Sequence, residues 1–220
     1  MRLAVLVSGR GSNLEAVLDA VADGRLPAVR PVLIVSNRPG VRALEVAGRH
    51  GVPAMVLRRA DFADAEARDA AIGAAVARSG ANLALLAGYD QLLRPEYFAA
   101  FAGRTINIHP SLLPRHGGAG MMGPAVHRAV IAAGDPETGV TIHEVTPELD
   151  AGQPLAQARV PVLPGEDAER LADRLLVTEH DLLLSVLAGL AAEGERRPPS
   201  VSMAAALPPA SGARATHERH

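Results

Sequence analysis

The 220-residue chain is long enough to bury one hydrophobic core, and 48% of its residues are hydrophobic while 21% are charged. A formal net charge of −2 and an aromatic content of 2% argue against a nucleic-acid partner, which needs a clustered basic face or stacking platforms. The absence of cysteine excludes disulfides and thiolate metal sites, and it is consistent with a cytoplasmic location. Neither a signal peptide nor a membrane partner is predicted, and a monomer and a homodimer both stay open.

The first half of the chain alternates short apolar runs with helical patterns. The apolar runs cover residues 3–7, 32–35, 54–57, 83–86 and 105–108. The helical patterns between them end at residue 22 and then span 41–50 and 63–78. Fully apolar strands separated by helices indicate a parallel sheet covered on both faces. We therefore predict the α/β class, with an open, mostly parallel, Rossmann-like sheet.

The pattern changes after Pro110. A glycine-rich segment at 114–123 predicts a mobile loop, and a helix follows over 125–133. The strand-like runs 139–145 and 155–162 predict an antiparallel extension of the sheet, and 166–193 reads as one long helix. We expect a single domain over 1–194 and a flexible tail, rich in proline and alanine, over 195–220.

The first strand-to-helix turn contains glycines where the chain must turn sharply. Gly11, Ser12 and Asn13 open the helix, so its N–H groups and these side chains predict a site for an anion such as a phosphate. Leu14 stands where a dinucleotide-binding fingerprint has its third glycine, so one phosphate fits better than a pyrophosphate. An ordinary capped turn is the alternative.

Three side chains with acid–base and oxyanion chemistry follow. Asn107 and His109 lie two apart on an apolar run, so they share one face of a strand that Pro110 ends. An amide can hold an oxyanion, and an imidazole moves protons near neutral pH. Asp150, next to a turn glycine, is the carboxylate that could orient the imidazole and favour its charged form.

Other histidines raise the possibility of a metal site. His116, His127 and His143 could join Asp150, but their spacing matches no compact ligand motif. No metal is predicted.

The chain resembles the formyltransferase family that uses 10-formyltetrahydrofolate. The resemblance lies in the segments 4–14 (AVLVSGRGSNL), 86–89 (LAGY), 107–114 (NIHPSLLP), 139–145 (GVTIHEV), 149–152 (LDAG) and the pair Glu179-His180. These segments run in family order from residue 1 to about residue 190. Each segment is short, but their combination is specific.

The resemblance implies a role for each group of residues. It assigns Asn107, His109 and Asp150 to catalysis and Gly11, Ser12 and Asn13 to the phosphate of a ribotide. Glu179 matches a position near the substrate amine. The loop that reads the folate pteridine matches Asp90, Gln91, Leu92 and Leu93, with Asn107 also contacting the folate. A folate-contacting arginine of relatives is replaced by Ala65, leaving Arg58, Arg59 or Arg68 as substitutes.

The implied activity is transfer of the formyl group of 10-formyltetrahydrofolate to the amine of glycinamide ribonucleotide, as in purine synthesis, with small-molecule partners only. Formylation of transfer RNA or of a sugar nucleotide and hydrolysis of the folate are alternatives within the family. A ribotide-binding module without catalysis is an alternative from another class. A dehydrogenase is disfavoured because Leu14 replaces a glycine.

Overall fold

The computed structural model describes residues 1–196, and their elements follow the predicted alternation. The strands are β1 (Arg2–Val7), β2 (Arg30–Ser36), β3 (Ala54–Val56), β4 (Leu83–Leu86), β5 (Arg104–His109), β6 (Glu137–Glu144) and β7 (Pro154–Pro161). The helices are α1 (Ser12–Ala22), α2 (Arg42–Arg49), α3 (Ala65–Arg78), α4 (Pro95–Ala100), α5 (Pro124–Ala133) and α6 (Ala168–Arg196). Residues 197–220, which hold nearly all of the predicted tail, lie outside the described residues.

One sheet carries these strands in the order β3-β2-β1-β4-β5-β6-β7. The pairs from β3 through β5 are parallel, while β6 pairs antiparallel with both β5 and β7. The prediction of an open, mostly parallel α/β sheet with an antiparallel extension is therefore confirmed.

Both faces of the sheet are covered at its central strands β1 and β4, which explains why residues 3–7 and 83–86 are apolar throughout. On β1, Leu3, Val5 and Val7 pack into a cluster that includes α1, α2, α5 and α6. The alternate residues Ala4 and Leu6 pack on the other face, in a cluster that includes α3 and α4. Each leucine buried in this way stabilises the fold by roughly 1.5–3 kcal/mol.

Two helices differ from the sequence prediction. The short helix α4 was not predicted, because six residues are too few to show a helical period. Pro95 fits its first turn, and the Arg94 N–H that precedes it donates to the buried carboxylate of Asp69 at 3.0 Å. Helix α6 begins at Ala168 and not at 166, because the Asp167 side chain caps its first turn.

Helix α6 is also apolar enough to need comment. Among the helices of residues 1–196, one passes a test of length and composition for a membrane span. That stretch is Ala168–Glu193 of α6. This is weak support for a membrane span, because a core helix of a soluble protein passes the same test. One stripe of α6 packs in the core of this fold through Leu171, Leu175, Leu183 and Leu187.

The strand order brings the predicted site residues together. The chain passes from β1 to α1 on one face and from β4 towards α4 on the other, so the loops after these neighbouring strands diverge. Ligands of open α/β sheets bind in the crevice that such a switch creates. The Asp90 N–H, after β4, donates to the Ser8 hydroxyl, after β1, at 3.0 Å. His109 ends β5, the next strand along.

Candidate active site

The amide of Asn107 is oriented by a histidine on the neighbouring strand. In the antiparallel register Asn107 lies opposite His143, and Asn107 Nδ2 is 3.1 Å from His143 Nε2. His143 Nδ1 is 2.8 Å from the carbonyl oxygen of Glu144. Because a carbonyl only accepts, Nδ1 carries the hydrogen and the bare Nε2 accepts from Asn107. One N–H of the Asn107 amide is thereby fixed, and the second stays available.

His143 keeps this acceptor role because burial holds the ring neutral. The side chain is 2% exposed, and burial, reinforced by the nearby His109, lowers the pKa of His143 below its usual value. The hydrogen bond to the Glu144 carbonyl and the charge of Asp150 oppose that lowering of the pKa without cancelling it. The charged form, which would turn Nε2 into a donor, is therefore disfavoured at neutral pH.

From the β6–β7 loop, Asp150 reaches His109 at the end of β5 and His143 on β6. Its Oδ2 lies 4.0 Å from His109 Nδ1, and its Oδ1 lies 3.7 Å from His143 Nε2. Asp150 adopts a left-handed backbone with a φ of 51°. Gly152 is required beside it, since a Cβ there would stand 1.7 Å from the Glu144 oxygen. The loop can fold back onto β6 only because position 152 has no side chain.

Backbone groups of the glycine-rich loop hold the acid and the imidazole. The Gly118 N–H donates to Asp150 Oδ2 at 2.8 Å. His109 Nε2 is 2.9 Å from the His116 carbonyl oxygen, so Nε2 carries a hydrogen. His109 Nδ1 is consequently the nitrogen that faces Asp150. The imidazole is 4% exposed, so its orientation is set by these contacts and not by bulk water.

A further histidine lies close to this group. His127 of α5 is 6% exposed, and its Nδ1 has no hydrogen-bond partner among the described residues. Burial, and secondarily the charge of His109, lowers the pKa of His127. His127 therefore provides a neutral ring beside His109.

The predicted phosphate loop leads into α1, whose first turn is capped by no side chain among the described residues. Gly11 has a φ of 74°, and a Cβ there would stand 2.7 Å from that of Ala43. Asn13 Nδ2 donates to Glu179 Oε2 at 2.8 Å, while the buried Asn13 Oδ1 has no partner within the part of the chain that the structure describes. Burial raises the pKa of Glu179, although Asn13 and the Arg10 charge partly offset that rise. The structure thus places Glu179 against the start of α1 at Gly11, Ser12 and Asn13, called the α1 loop below. Ser12 is half-buried there.

The predicted folate loop is tied to the end of β2. Asn37 Nδ2 donates to Asp90 Oδ1 at 2.8 Å, and Arg38 pairs with the other carboxylate oxygen. Leu93 is buried in the core, whereas Leu92 is 41% exposed. Leu93 can therefore offer a ligand only its backbone. Gln91, beside them, is half-buried.

The arginines considered as folate contacts have other partners. Arg68 is 1% exposed and bonds Asp69 at 2.8 Å, so the structure removes it from the candidates. Arg58 pairs with Asp61, and Arg59 donates to a backbone carbonyl at 3.0 Å. Ala65 begins α3. Within residues 1–196, no cluster of three or more histidine and acidic side chains could hold a metal.

Comparison with known proteins gives the family. The formyl transferase family profile matches residues 1–187. The chain belongs to the formyl transferase family. It is 42% identical over 193 residues to a phosphoribosylglycinamide formyltransferase of Mycobacterium tuberculosis (strain ATCC 25618 / H37Rv), covering 88% of this chain and 86% of that protein. The predicted family is confirmed.

Two further relatives of this formyl transferase differ in length: one is a solved structure of similar size, and the other is a much longer protein. It resembles the crystal structure of glycinamide ribonucleotide transformylase 1 from Symbiobacterium toebii with a TM-score of 0.82, 37% identity and 88% coverage of each chain. It is 39% identical over 197 residues to a trifunctional purine biosynthetic protein adenosine-3 of Drosophila pseudoobscura pseudoobscura, covering 89% of this chain. The chain spans only 14% of the length of that relative.

Sequence reasoning on this formyl transferase missed the side chains that orient the predicted trio. His143 and His116 stood out only as possible metal ligands, and Asp135, which bonds His116 at 2.6 Å, did not stand out. Alternation along β6 does not single out His143, because residues 138–143 are all buried. Its pairing with Asn107 depends on the register across a long connection, which no local pattern encodes.

Proposed function

We propose that the chain transfers the formyl group of 10-formyltetrahydrofolate to the amine of glycinamide ribonucleotide, giving formylglycinamide ribonucleotide and tetrahydrofolate. The observation that carries the proposal is the meeting of an oriented amide, an imidazole and a carboxylate. Asp150 lies 4.0 Å from His109, and Asn107 lies two residues before His109 on β5, on the same face of the sheet. Relatives that bear the name of this activity match the chain over most of its length.

The reaction needs a held oxyanion and a path for one proton. The substrate amine attacks the formyl carbon, forming a C–N bond and a tetrahedral adduct with a negatively charged oxygen. The free N–H of Asn107 and the Nδ1–H of charged His109 donate to that oxygen. The bond from the formyl carbon to N10 then breaks. The proton lost by the amine passes through Asp150 and water to N10, so no metal or covalent enzyme intermediate is needed.

The α1 loop supports a ribotide as the acceptor. No side chain of residues 1–196 caps α1, so its first N–H groups, at Gly11, Ser12 and Asn13, can bind one phosphate. The Asn13 amide is fixed by Glu179, which leaves Asn13 Oδ1 as a buried acceptor. A hydroxyl or amide N–H of the ribotide would satisfy that acceptor, since a buried polar group without a partner is costly.

The β4–α4 loop supports the folate. The loop is anchored at Asp90 by the contacts to Ser8 and Asn37, so its following backbone at Gln91, Leu92 and Leu93 is held at the crevice. Backbone N–H and C=O groups there can pair with the polar edge of a pteridine. The small-molecule partners are thus the ribotide and the folate. A cytoplasmic location stays a prediction, supported by the cysteine-free composition.

The test is an absorbance assay of deformylation with purified protein, glycinamide ribonucleotide and a 10-formylfolate donor. Release of the formyl group that requires the ribotide supports the proposal. Release without the ribotide would indicate a hydrolase. No release from a folded protein, together with ribotide binding measured by calorimetry, would indicate a binding module and contradict the proposal.

A further inference from the structure

Asp135 is a buried acid that the proposed chemistry does not use. It lies between α5, whose end at Gly134 has a left-handed backbone, and the start of β6. The Asp135 side chain is 7% exposed. Buried carboxylates are expected to have hydrogen-bonding partners, and the identity of these partners indicates what Asp135 holds in place.

The partners of Asp135 are two consecutive side chains of the glycine-rich loop. His116 Nε2 is 2.6 Å from Asp135 Oδ2, and Arg115 pairs with the other oxygen. His116 has a φ of 52°, a conformation that costs a side-chain-bearing residue roughly 1–2 kcal/mol. A strained backbone persists only where neighbouring contacts determine it. The bond from its side chain to Asp135 is such a contact.

The strained residue is the one whose carbonyl holds the imidazole. His116 O is 2.9 Å from His109 Nε2, so this carbonyl accepts the Nε2–H and sets the orientation of the His109 ring. With Nε2 engaged, Nδ1 faces Asp150 at 4.0 Å. Rotation of the His116 peptide would release Nε2 and let the ring turn away from Asp150.

We propose that Asp135 is a positioning residue for the formyl transfer proposed above. It holds the His116 side chain so that the His116 carbonyl accepts the Nε2–H of His109 and directs Nδ1 to the reacting centre. The inference rests on the proposed function for its kinetic consequence, but the orientation of His109 can be measured without turnover.

Asp135→Asn is the principal test, because it keeps the size of the side chain, removes the charge and weakens the hydrogen bond to His116 by taking away its charge assistance. We expect kcat to fall about 10- to 100-fold, since a displacement of about 1 Å at a reacting group can cost 10²-fold. The KM for the ribotide should stay within about twofold, because the α1 loop does not contact Asp135. A purely structural role would instead lower the melting temperature and leave kcat per folded molecule unchanged.

Arg115→Gln is the matched control. Arg115 is 59% exposed and bonds the same carboxylate, yet its loss leaves the His116 contact in place. Its kcat should stay within about twofold of wild type. His116→Asn removes the contact from the other side, and asparagine tolerates a positive φ. It should match Asp135→Asn, and the double variant should lose little more than either single variant. If Asp135→Asn does not fold, His116→Asn alone tests the inference.

A spectroscopic measurement separates this inference from the proposed function. Imidazole ¹⁵N spectra of the unliganded protein, recorded at a pH high enough that the imidazoles are neutral and with His109 assigned from a His109→Asn sample, report which ring nitrogen carries hydrogen. We expect protonated Nε2 in wild type and a mixture in Asp135→Asn. If wild type does not formylate the ribotide, the proposed function fails and these spectra alone decide the inference. Unchanged spectra, or Asp135→Asn with wild-type kcat, would overturn it.

Discussion

Asp150→Asn changes the charge of the proposed site while keeping its shape. Asp150 has a φ of 51°, and asparagine is among the few residues that tolerate this conformation. In the wild-type protein the Gly118 N–H donates to the Asp150 carboxylate at 2.8 Å, and the asparagine oxygen can still accept this hydrogen bond. We therefore expect the variant to fold like wild type, so a kinetic change reports the lost charge.

The size of the effect follows from the distance to His109. Asp150 Oδ2 is 4.0 Å from His109 Nδ1. Two unit charges at 4 Å interact by about 1 kcal/mol in bulk water and about 4 kcal/mol at an effective dielectric of 20. Those bounds correspond to rate losses of about 5-fold and about 10³-fold when the full interaction acts in the transition state. Because the Asp150 side chain is 11% exposed, we expect kcat to fall towards the larger value.

The assay is the ribotide-dependent absorbance change at saturating ribotide and folate, with thermal unfolding of each sample alongside. The KM for the ribotide should be nearly unchanged, because Asp150 does not contact the α1 loop. Asp150→Ala should also lose activity, but with a lower melting temperature, since alanine is strained at this φ. A kcat of Asp150→Asn within twofold of wild type, at equal stability, would refute the electrostatic role of Asp150.

Three other perturbations have defined outcomes. Asn107→Ala should lower kcat by about 10²–10³-fold, the usual cost of an oxyanion donor, and steady-state rates near wild type would contradict that role. Gly11→Ala should lower the melting temperature by at least about 2–4 °C and weaken ribotide binding measured by calorimetry, because the new Cβ would clash with Ala43 and the φ of 74° is strained for alanine. Gly9→Ala is the control: the space around its Cβ is open, so it should not destabilise the fold. Stability to urea should fall as the pH drops below about 6.5, because burial lowers the pKa values of His127 and His143 and the unfolded chain then binds more protons. Each proton of difference contributes at most about 1.4 kcal/mol per pH unit, and equal urea midpoints at pH 7.5 and 5.5 would contradict this account.

The elements that local pattern could determine were predicted well. The sequence shows strands at β1, β2 and β4 as apolar runs, because a strand that is buried on both faces needs apolar side chains at successive positions. It shows α2 and α3 by their helical period. Helix α4 escaped because a six-residue helix, held by Asp69 from another element, has no period of its own.

For the site, the sequence determined the chemistry and the tertiary structure decided the geometry. The motifs around Asn107, His109 and Asp150 predict an amide, an imidazole and a carboxylate at the proposed site. The type of each side chain already limits the chemistry that it can perform. Which ring nitrogen of His109 faces Asp150, and which N–H of Asn107 is free, depends on His116 and His143. Those contacts join residues 36 and seven positions apart in the chain, and they exist only once strand register and loop closure have brought them within hydrogen-bonding distance.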